Sequence, residues 1–129
     1  MDTNDAAAPD PVFRPGGVSY LRIPAPDPVP LAAFYGVVFG WEVDAEGSTS
    51  RFADGTGHVI GHFQPDLPVA GAAGVVPYVF VEDIDEVIER AVAHGAAVVR
   101  PPYPEGDLWV ATIDDPAGNL VGVWQHGPR

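Results

Sequence analysis

Cysteine and lysine are both absent from this sequence of 129 residues. Without thiols the chain can form no disulfide, no thiolate metal site and no cysteine nucleophile, which favours a cytoplasmic over an extracellular location. Without lysine, six arginines stand against 18 acidic side chains, and the formal net charge is −12. A charge of this sign and size repels phosphate groups, so we expect no nucleic acid and no membrane among the partners.

Long hydrophobic runs are also missing. The longest uncharged stretch, residues 67–81, contains proline and glycine, and it is shorter than the roughly 20 apolar residues that span a bilayer. Residues 1–16 are rich in Asp, Ala, Pro and Gly without any periodicity, which predicts a disordered tail. The length that remains suits one domain.

The first part of the ordered chain predicts a strand, a helix and three further strands. Residues 18–23 form a short apolar and β-branched run, which is typical of a strand. Apolar residues recur at helical spacing over residues 31–39, with Asp27 as an entry signal and Gly40 as a stop signal. Short strands are predicted at residues 41–43, 50–53 and 58–63.

The same order of elements then repeats. Residues 76–81 predict a strand, Asp83 and Glu86 form a capping box, and Gly95 ends the helix that follows. Residues 67–74 are therefore a linker between a first β-α-β-β-β unit and a second one. The units span residues 17–66 and 75–126, residues 127–129 form a short tail, and the later strands are predicted at 97–100, 109–113 and 120–124.

Two segments carry a resemblance to a known superfamily. Residues 34–41 read Phe-Tyr-Gly-Val-Val-Phe-Gly-Trp, and residues 115–119 read Asp-Pro-Ala-Gly-Asn. With the repeat, they resemble the vicinal oxygen chelate superfamily, which includes glyoxalase I, extradiol dioxygenases, and the bleomycin and fosfomycin resistance proteins. The resemblance implies an α+β fold in which two β-α-β-β-β units pair to form an open curved β-barrel with a central pocket. Because members commonly pair, a homodimer is also among the expected assemblies.

The resemblance implies positions for a metal ion, and this sequence departs from them. Metal-dependent members carry ligands on the first and last strands of each unit, usually His on the first and Glu on the last. The repeat places Tyr20 and Tyr78 at the first-strand positions, and Gly61 and Gly122 at the last-strand positions. Glycine offers no side chain and a neutral tyrosine is a poor ligand, so we expect no metal and no cofactor.

Two histidines could in principle rebuild a displaced metal site. His58 and His62 are four residues apart, a spacing of about 13 Å in a strand because each residue rises ~3.3 Å. One ion cannot easily reach both imidazoles. We therefore expect structural or surface roles for them, on the face opposite the pocket, although the sequence leaves a displaced site near either histidine open.

Alternation along the strands predicts the lining of the pocket. The lining would be aromatic, with two phenol hydroxyls and one arginine, and the glycines would open room at its centre. Such a pocket suits a flat organic molecule with an acidic or polar group. The predicted ligand-binding residues are Tyr20, Arg22, Val59, Gly61, Phe63, Tyr78, Phe80, Gly122 and Trp124.

Two kinds of function remain open. The first is a protein that binds or sequesters an aromatic or polar metabolite or an antibiotic, as the bleomycin-resistance relatives do. The second is a glyoxalase-like enzyme or a metal-independent isomerase or lyase acting on a secondary metabolite, with Tyr20 or Tyr78 as proton donor and Arg22 as electrostatic clamp. Side chains of two predicted loops at the pocket mouth, 44–50 and 101–108, would help to decide between them, among them Glu105 and Asp107.

Overall fold

The computed structural model describes residues 11–44, 50–72 and 74–129. This part of the chain contains two helices and eight strands. Residues 1–10 of the predicted tail therefore lie outside the described residues. In chain order the elements are β1 (Tyr20–Pro24), α1 (Pro28–Phe39), β2 (Glu42–Val43), β3 (Arg51–Ala53), β4 (Ile60–Gln64), β5 (Tyr78–Phe80), α2 (Ile84–Ala93), β6 (Ala97–Glu105), β7 (Leu108–Asp114) and β8 (Leu120–His126).

The strands form two four-stranded sheets with the same internal order. The first sheet runs β1-β4-β3-β2 and the second runs β5-β8-β7-β6. In each sheet the strand before the helix pairs in parallel with the last strand of the unit, and the other pairs are antiparallel. The sheets are curved and stay open rather than closing on themselves. The predicted α+β fold of two β-α-β-β-β units is confirmed.

Local signals in the sequence set the ends of both helices. Helix α1 begins with Pro28, where a missing N–H costs nothing, and ends at Phe39, before the capping residue Gly40, whose φ of 70° is left-handed. Helix α2 begins after Asp83, whose side chain accepts a hydrogen bond from the Glu86 amide at 3.0 Å. It ends before Gly95, whose φ is 103°. Among the described residues, no helix is long and apolar enough to cross a membrane.

The hydrophobic core lies on the side of each sheet that the helices cover. In the first unit Tyr35 of α1 stacks on Trp41 at 4.7 Å between ring centroids, and Trp41 stacks on Phe52 at 4.9 Å. Phe52 then contacts Phe63 at 5.0 Å. In the second unit Ile84, Val87 and Ala91 of α2 pack into the same buried cluster. The opposite side of each sheet, turned away from the helices, is called the open face below.

The Asp-Pro-Ala-Gly-Asn segment joins the two units. The buried Asp115 carboxylate accepts four hydrogen bonds: from the Tyr35 hydroxyl of the first unit at 2.8 Å, from the Ala117 amide, and from the amide and side chain of Asn119. The Asn119 side chain also donates to the carbonyl of Pro24 at 2.8 Å. Burial, and secondarily the charge of Asp115, raise the pKa of Tyr35 well above its usual value. The hydroxyl therefore stays protonated and donates.

One predicted loop is a strand. Residues 101–108 were expected to be a loop at the pocket mouth, but β6 continues through Pro101 and Pro102 to Glu105. Strand β6 is at the edge of the sheet, where a proline without an N–H breaks no ladder on the outer side, and its register with β7 shifts around Arg100. Of the other predicted loop, residues 45–49 lie outside the described residues.

Candidate functional site

The register between β1 and β4 decides which side chains share the open face of the first sheet. Tyr20 pairs with Ile60, and Arg22 pairs with His62. Because residues directly opposite each other on neighbouring strands point to the same side of a sheet, the open face carries Ile60, His62 and Gln64 from β4. The prediction that Val59, Gly61 and Phe63 share this face with Tyr20 and Arg22 is wrong by one residue.

The three displaced residues have other surroundings. Phe63 is 0 % exposed and contacts Tyr35 of α1 at 5.6 Å, so it belongs to the core. A Cβ atom at Gly61 would collide with the carbonyl of Leu21 and the ring of Phe52. There is therefore no space for a side chain at this position, and Gly61 does not enlarge a pocket. Val59 precedes β4, and its carbonyl accepts a hydrogen bond from the amide of Asp54 at 2.8 Å.

A chain of hydrogen bonds runs across the open face of the first sheet. The Tyr20 hydroxyl lies 2.7 Å from Nδ1 of His62, and Nε2 of His62 lies 3.0 Å from Oε1 of Gln64. Arg22 donates to the same Oε1 at 3.3 Å, and the Gln64 amide nitrogen donates to Asp66 at 2.9 Å. These five residues are called the Tyr20 network below. The sequence hypothesis that His62 faces away from Tyr20 is therefore wrong.

The open face of the second sheet is aromatic. Tyr78 pairs with Gly122, and Phe80 pairs with Trp124. Tyr78 is 48 % exposed and Phe80 is 53 % exposed. The rings of Phe80 and Trp124 meet edge to face with their centroids 5.0 Å apart. The register thus brings these four predicted residues together on one open face, and a ligand-binding role for them stays a prediction.

Gly122 does not open free room at the centre of the pocket, contrary to the prediction. A Cβ atom at this position would collide with three ring carbons of Tyr78, so the tyrosine ring lies directly on the glycine backbone. The expected free room is therefore filled by Tyr78. Beside this ring, a hollow of about 270 Å³ is lined by Tyr78, Glu105, Leu108, Val110 and Trp124.

The two acidic residues expected at the pocket mouth lie in different places. Glu105 ends β6 and pairs with Leu108, which puts its carboxylate beside the aromatic hollow. Asp107 lies in the turn that follows, where its carbonyl accepts a hydrogen bond from the Gly127 amide. Asp107 lines a separate depression with Trp109 and His126. Of these two residues, only Glu105 lies where it could contact a ligand on the open face.

A second cavity lies at the joint between the units. It measures about 220 Å³ and takes its walls from β1, from the start of β8 and from the segment between the units, including Arg22, Ala70, Val75 and Leu120. Its lining is mostly apolar, and Arg22 supplies the charge. Arg22 therefore lines this cavity and is also a member of the Tyr20 network.

The residues at the superfamily's metal positions do not fit a divalent ion. In the first sheet the residue opposite Tyr20 is Ile60, with His62 next to it on the same face, and in the second sheet the residue opposite Tyr78 is Gly122. They supply one imidazole, and both of its nitrogens are already in hydrogen bonds. Within the described ranges, no three His, Asp or Glu side chains come together as ion ligands do. His58 lies in the turn before β4 and does not complete a site with His62.

The chain is similar to known glyoxalase-like proteins. A family model described as a glyoxalase-like domain matches residues 20–124. Two curated proteins named "Putative glyoxylase CFP32", from Mycobacterium bovis and Mycobacterium tuberculosis, are 28 % identical over 123 residues. The match covers 88 % of this chain and 47 % of theirs, so the chain spans about half the length of these relatives.

Solved structures share the fold. A glyoxalase/bleomycin resistance protein/dioxygenase family enzyme from Burkholderia phytofirmans PsJN superimposes with a TM-score of 0.67 at 23 % identity, covering 84 % of this chain and 97 % of that one. TioX from Micromonospora sp. ML1 superimposes with a TM-score of 0.60 at 24 % identity, covering 86 % and 99 %. At these identities the likeness concerns the fold alone.

Proposed function

Because residues 20–124 match its model, the chain belongs to the glyoxalase-like domain family of the vicinal oxygen chelate superfamily, and we propose that it binds a small aromatic or polar metabolite or antibiotic without a metal ion. The ligand would lie on the open faces of the two sheets, in contact with the aromatic side chains of the second sheet and near the polar side chains of the first. This proposal covers the domain, not the activity of its longer relatives.

The observation that carries the proposal is the exposure of Tyr78 and Phe80 beside Trp124. Burying apolar surface is worth roughly 25 cal/mol per Å², and an aromatic contact in good geometry adds about 0.5–1.5 kcal/mol. A flat ligand on these rings would gain both contributions. Single exposed apolar residues are common on protein surfaces, whereas two aromatic rings that line a hollow, Tyr78 and Trp124, with Phe80 packed against Trp124, favour a binding site.

Metal independence is supported by the set of donor atoms at the superfamily's positions. One hydrogen-bonded imidazole, two phenols and one glycine do not make a carboxylate and imidazole cage. The chain would therefore hold its ligand by aromatic contact and hydrogen bonds. No cofactor is required for such binding. A homodimer and a cytoplasmic location are the accompanying predictions.

One observation favours the second candidate function, a metal-independent isomerase or lyase. The Tyr20 hydroxyl lies 2.7 Å from an imidazole nitrogen, which is the arrangement of a proton donor next to a base. Arg22 nearby could stabilise a developing negative charge, and Tyr78 could donate a proton from the other sheet. Binding needs only the surfaces described above, whereas catalysis also needs a substrate held against Tyr20, so binding is the first choice.

Titration of chelator-treated protein with a panel of aromatic metabolites tests the proposal. Binding is measured by calorimetry, and the ligand is analysed afterwards for chemical change. We expect saturable binding with unchanged ligand, and a Phe80→Ala variant should weaken it about tenfold, in line with the loss of one aromatic contact. Phe13→Ala removes another exposed phenylalanine, which precedes β1 and belongs to neither sheet, and is the matched control.

The outcomes separate the candidates. Equal binding by the parent and Phe80→Ala would contradict the aromatic site. Conversion of the ligand by metal-free protein would favour the isomerase or lyase. Binding that appears only after addition of a divalent metal would contradict metal independence.

A further inference from the structure

The hydrogen-bond partners of His62 indicate which ring nitrogen carries the proton. Gln64 donates through its amide nitrogen to Asp66 at 2.9 Å, so its carbonyl oxygen is turned towards Arg22 and His62. A carbonyl oxygen only accepts, and Nε2 of His62 must therefore be the protonated nitrogen. In the neutral ring Nδ1 is then an acceptor, and the hydroxyl of Tyr20 donates to it at 2.7 Å.

This face also concentrates positive charge in an otherwise acidic protein. His62 pairs with Arg22 of β1 on one side and with Arg51 of β3 on the other. Neighbouring strands lie about 4.8 Å apart, so the three residues form a row across the sheet. Asp66 is the acidic member and contacts the row through the Gln64 amide. Arg51 makes contacts of its own, and Tyr20 and Arg22 are the donors that the network links to His62.

We propose that Tyr20, Arg22 and His62 form a subsite for the carboxylate of an aromatic acid, and that one proton enters His62 when the acid binds. The inference rests on the proposed binding function and names the class of ligand. A monocarboxylate fits better than a polyanion, since the net charge of −12 repels multiply charged anions.

Proton uptake would reverse the hydrogen bond between Tyr20 and His62. In the unliganded arrangement the hydroxyl hydrogen of Tyr20 is directed at Nδ1 and is not available to a ligand. When a proton from solvent binds to Nδ1, that nitrogen donates to the tyrosine oxygen, and the hydroxyl hydrogen turns outward. Tyr20 and Arg22 then offer donors to the two carboxylate oxygens. No bond between heavy atoms forms or breaks, and the proton charge balances that of the carboxylate.

Calorimetry with 2-naphthoate and its neutral counterpart 2-naphthamide tests this inference. Titrations at pH 7 in buffers of different ionisation enthalpy, such as PIPES and Tris, give the number of protons taken up on binding. We expect net proton uptake with naphthoate and none with naphthamide. Because a proton is taken up with the acid, naphthoate binding should become tighter as the pH falls from 8 to 6, by up to about tenfold for each pH unit, while naphthamide binding stays constant.

Variants assign the proton to its residue. His62→Gln keeps a hydrogen-bonding side chain without a titrating group, so proton uptake and the pH dependence should disappear. His58→Gln replaces the other histidine next to β4 and should leave both unchanged. Arg22→Gln should weaken naphthoate about ten- to a hundredfold and leave naphthamide unaffected. Circular dichroism checks that each variant folds.

A measurement without ligand keeps the first step testable by itself. Long-range ¹H–¹⁵N correlation spectra distinguish the two neutral tautomers of His62, and we expect the form protonated at Nε2. The opposite tautomer would overturn the inference. Naphthoate binding without proton uptake, or uptake that survives His62→Gln, would also overturn it while leaving the binding function intact. Failure of both ligands to bind would contradict the aromatic site itself.

Discussion

Replacing Tyr35 with phenylalanine removes a single hydrogen bond from the joint between the two units. Tyr35 is 1 % exposed and Asp115 is 3 % exposed, so water cannot take the place of the lost hydroxyl. A hydrogen bond to a charged group is worth about 1.5–3 kcal/mol. The Asp115 carboxylate keeps its other three donors in the variant, and we therefore expect a loss of about 2 kcal/mol in the free energy of unfolding.

Asp115→Ala is the stronger form of the same perturbation. It leaves the Tyr35 hydroxyl, two backbone amides and one proton of the Asn119 side chain without their acceptor. Removing one partner of a buried charged network costs about 3–5 kcal/mol. The order of stability should therefore be parent, Tyr35→Phe, Asp115→Ala.

Urea denaturation measures these differences. With a slope of about 1–3 kcal/mol per M for a small protein, a loss of 2 kcal/mol moves the midpoint by roughly 1 M. Tyr103→Phe is the matched control because its ring, which contacts Arg100 at 3.5 Å from the ring centroid, is kept. A Tyr35→Phe variant whose free energy of unfolding lies within about 0.5 kcal/mol of the parent's would mean that the joint does not depend on this hydrogen bond.

Further predictions concern pH and packing. The raised pKa of Tyr35 contributes stability that is fully present below the unfolded value of about 10 and is lost as pH rises through the folded value; above pH 10 the urea midpoint of the parent should fall more steeply than that of Tyr35→Phe, and parallel curves would contradict this. In Gly122→Ala the new Cβ atom should collide with the Tyr78 ring and lower the free energy of unfolding by about 1–3 kcal/mol, which thermal denaturation measures. An unchanged midpoint would contradict the close contact between Gly122 and this ring. Phe63→Ala should cost about 3–5 kcal/mol in urea if Phe63 is core, and a cost below 1 kcal/mol would restore it to the open face. Asp83→Ala should cost about 1 kcal/mol by the same assay, because it removes the cap of α2; no loss would mean that the cap is dispensable.

The sequence predicted the elements well where the signal is local. The capping box at Asp83, the left-handed Gly40 and the repeated order of strands and helices each depend on a few neighbouring residues. Strand β6 was predicted too short because Pro101 and Pro102 are normally incompatible with a strand. Their tolerance depends on β6 being an edge strand, which is a property of the assembled sheet.

The candidate site was harder to predict, and β4 shows why. Alternation separates the side chains of residues 58–63 into two sets, but it does not say which set faces the helix. The histidines and Ile60 form one set, and Val59, Gly61 and Phe63 form the other. The resemblance suggested that the glycine replaced a ligand on the pocket side. The size of Phe63 was the available signal for the opposite choice, because α1 already offered Tyr35 as an aromatic partner.

The second sheet followed the predicted alternation because the register between β5 and β8 places Tyr78 opposite Gly122, as the repeat had suggested. Tyr78 and Phe80 pair with Gly122 and Trp124, so the four residues share one face as expected. What the sequence could not predict is that the Tyr78 ring occupies the space above Gly122. Contact between a side chain and a distant backbone depends on rotamer and register together, and neither is a local property of the chain.

Binding of an aromatic ligand to the open faces without a metal ion can be mapped residue by residue. NMR chemical shifts would be followed while chelator-treated protein is titrated with 2-naphthoate. We expect saturable shifts at Tyr20, His62, Tyr78, Phe80 and Trp124 that do not change when zinc is added. Shifts confined to other surfaces, or shifts that appear only with zinc, would contradict it.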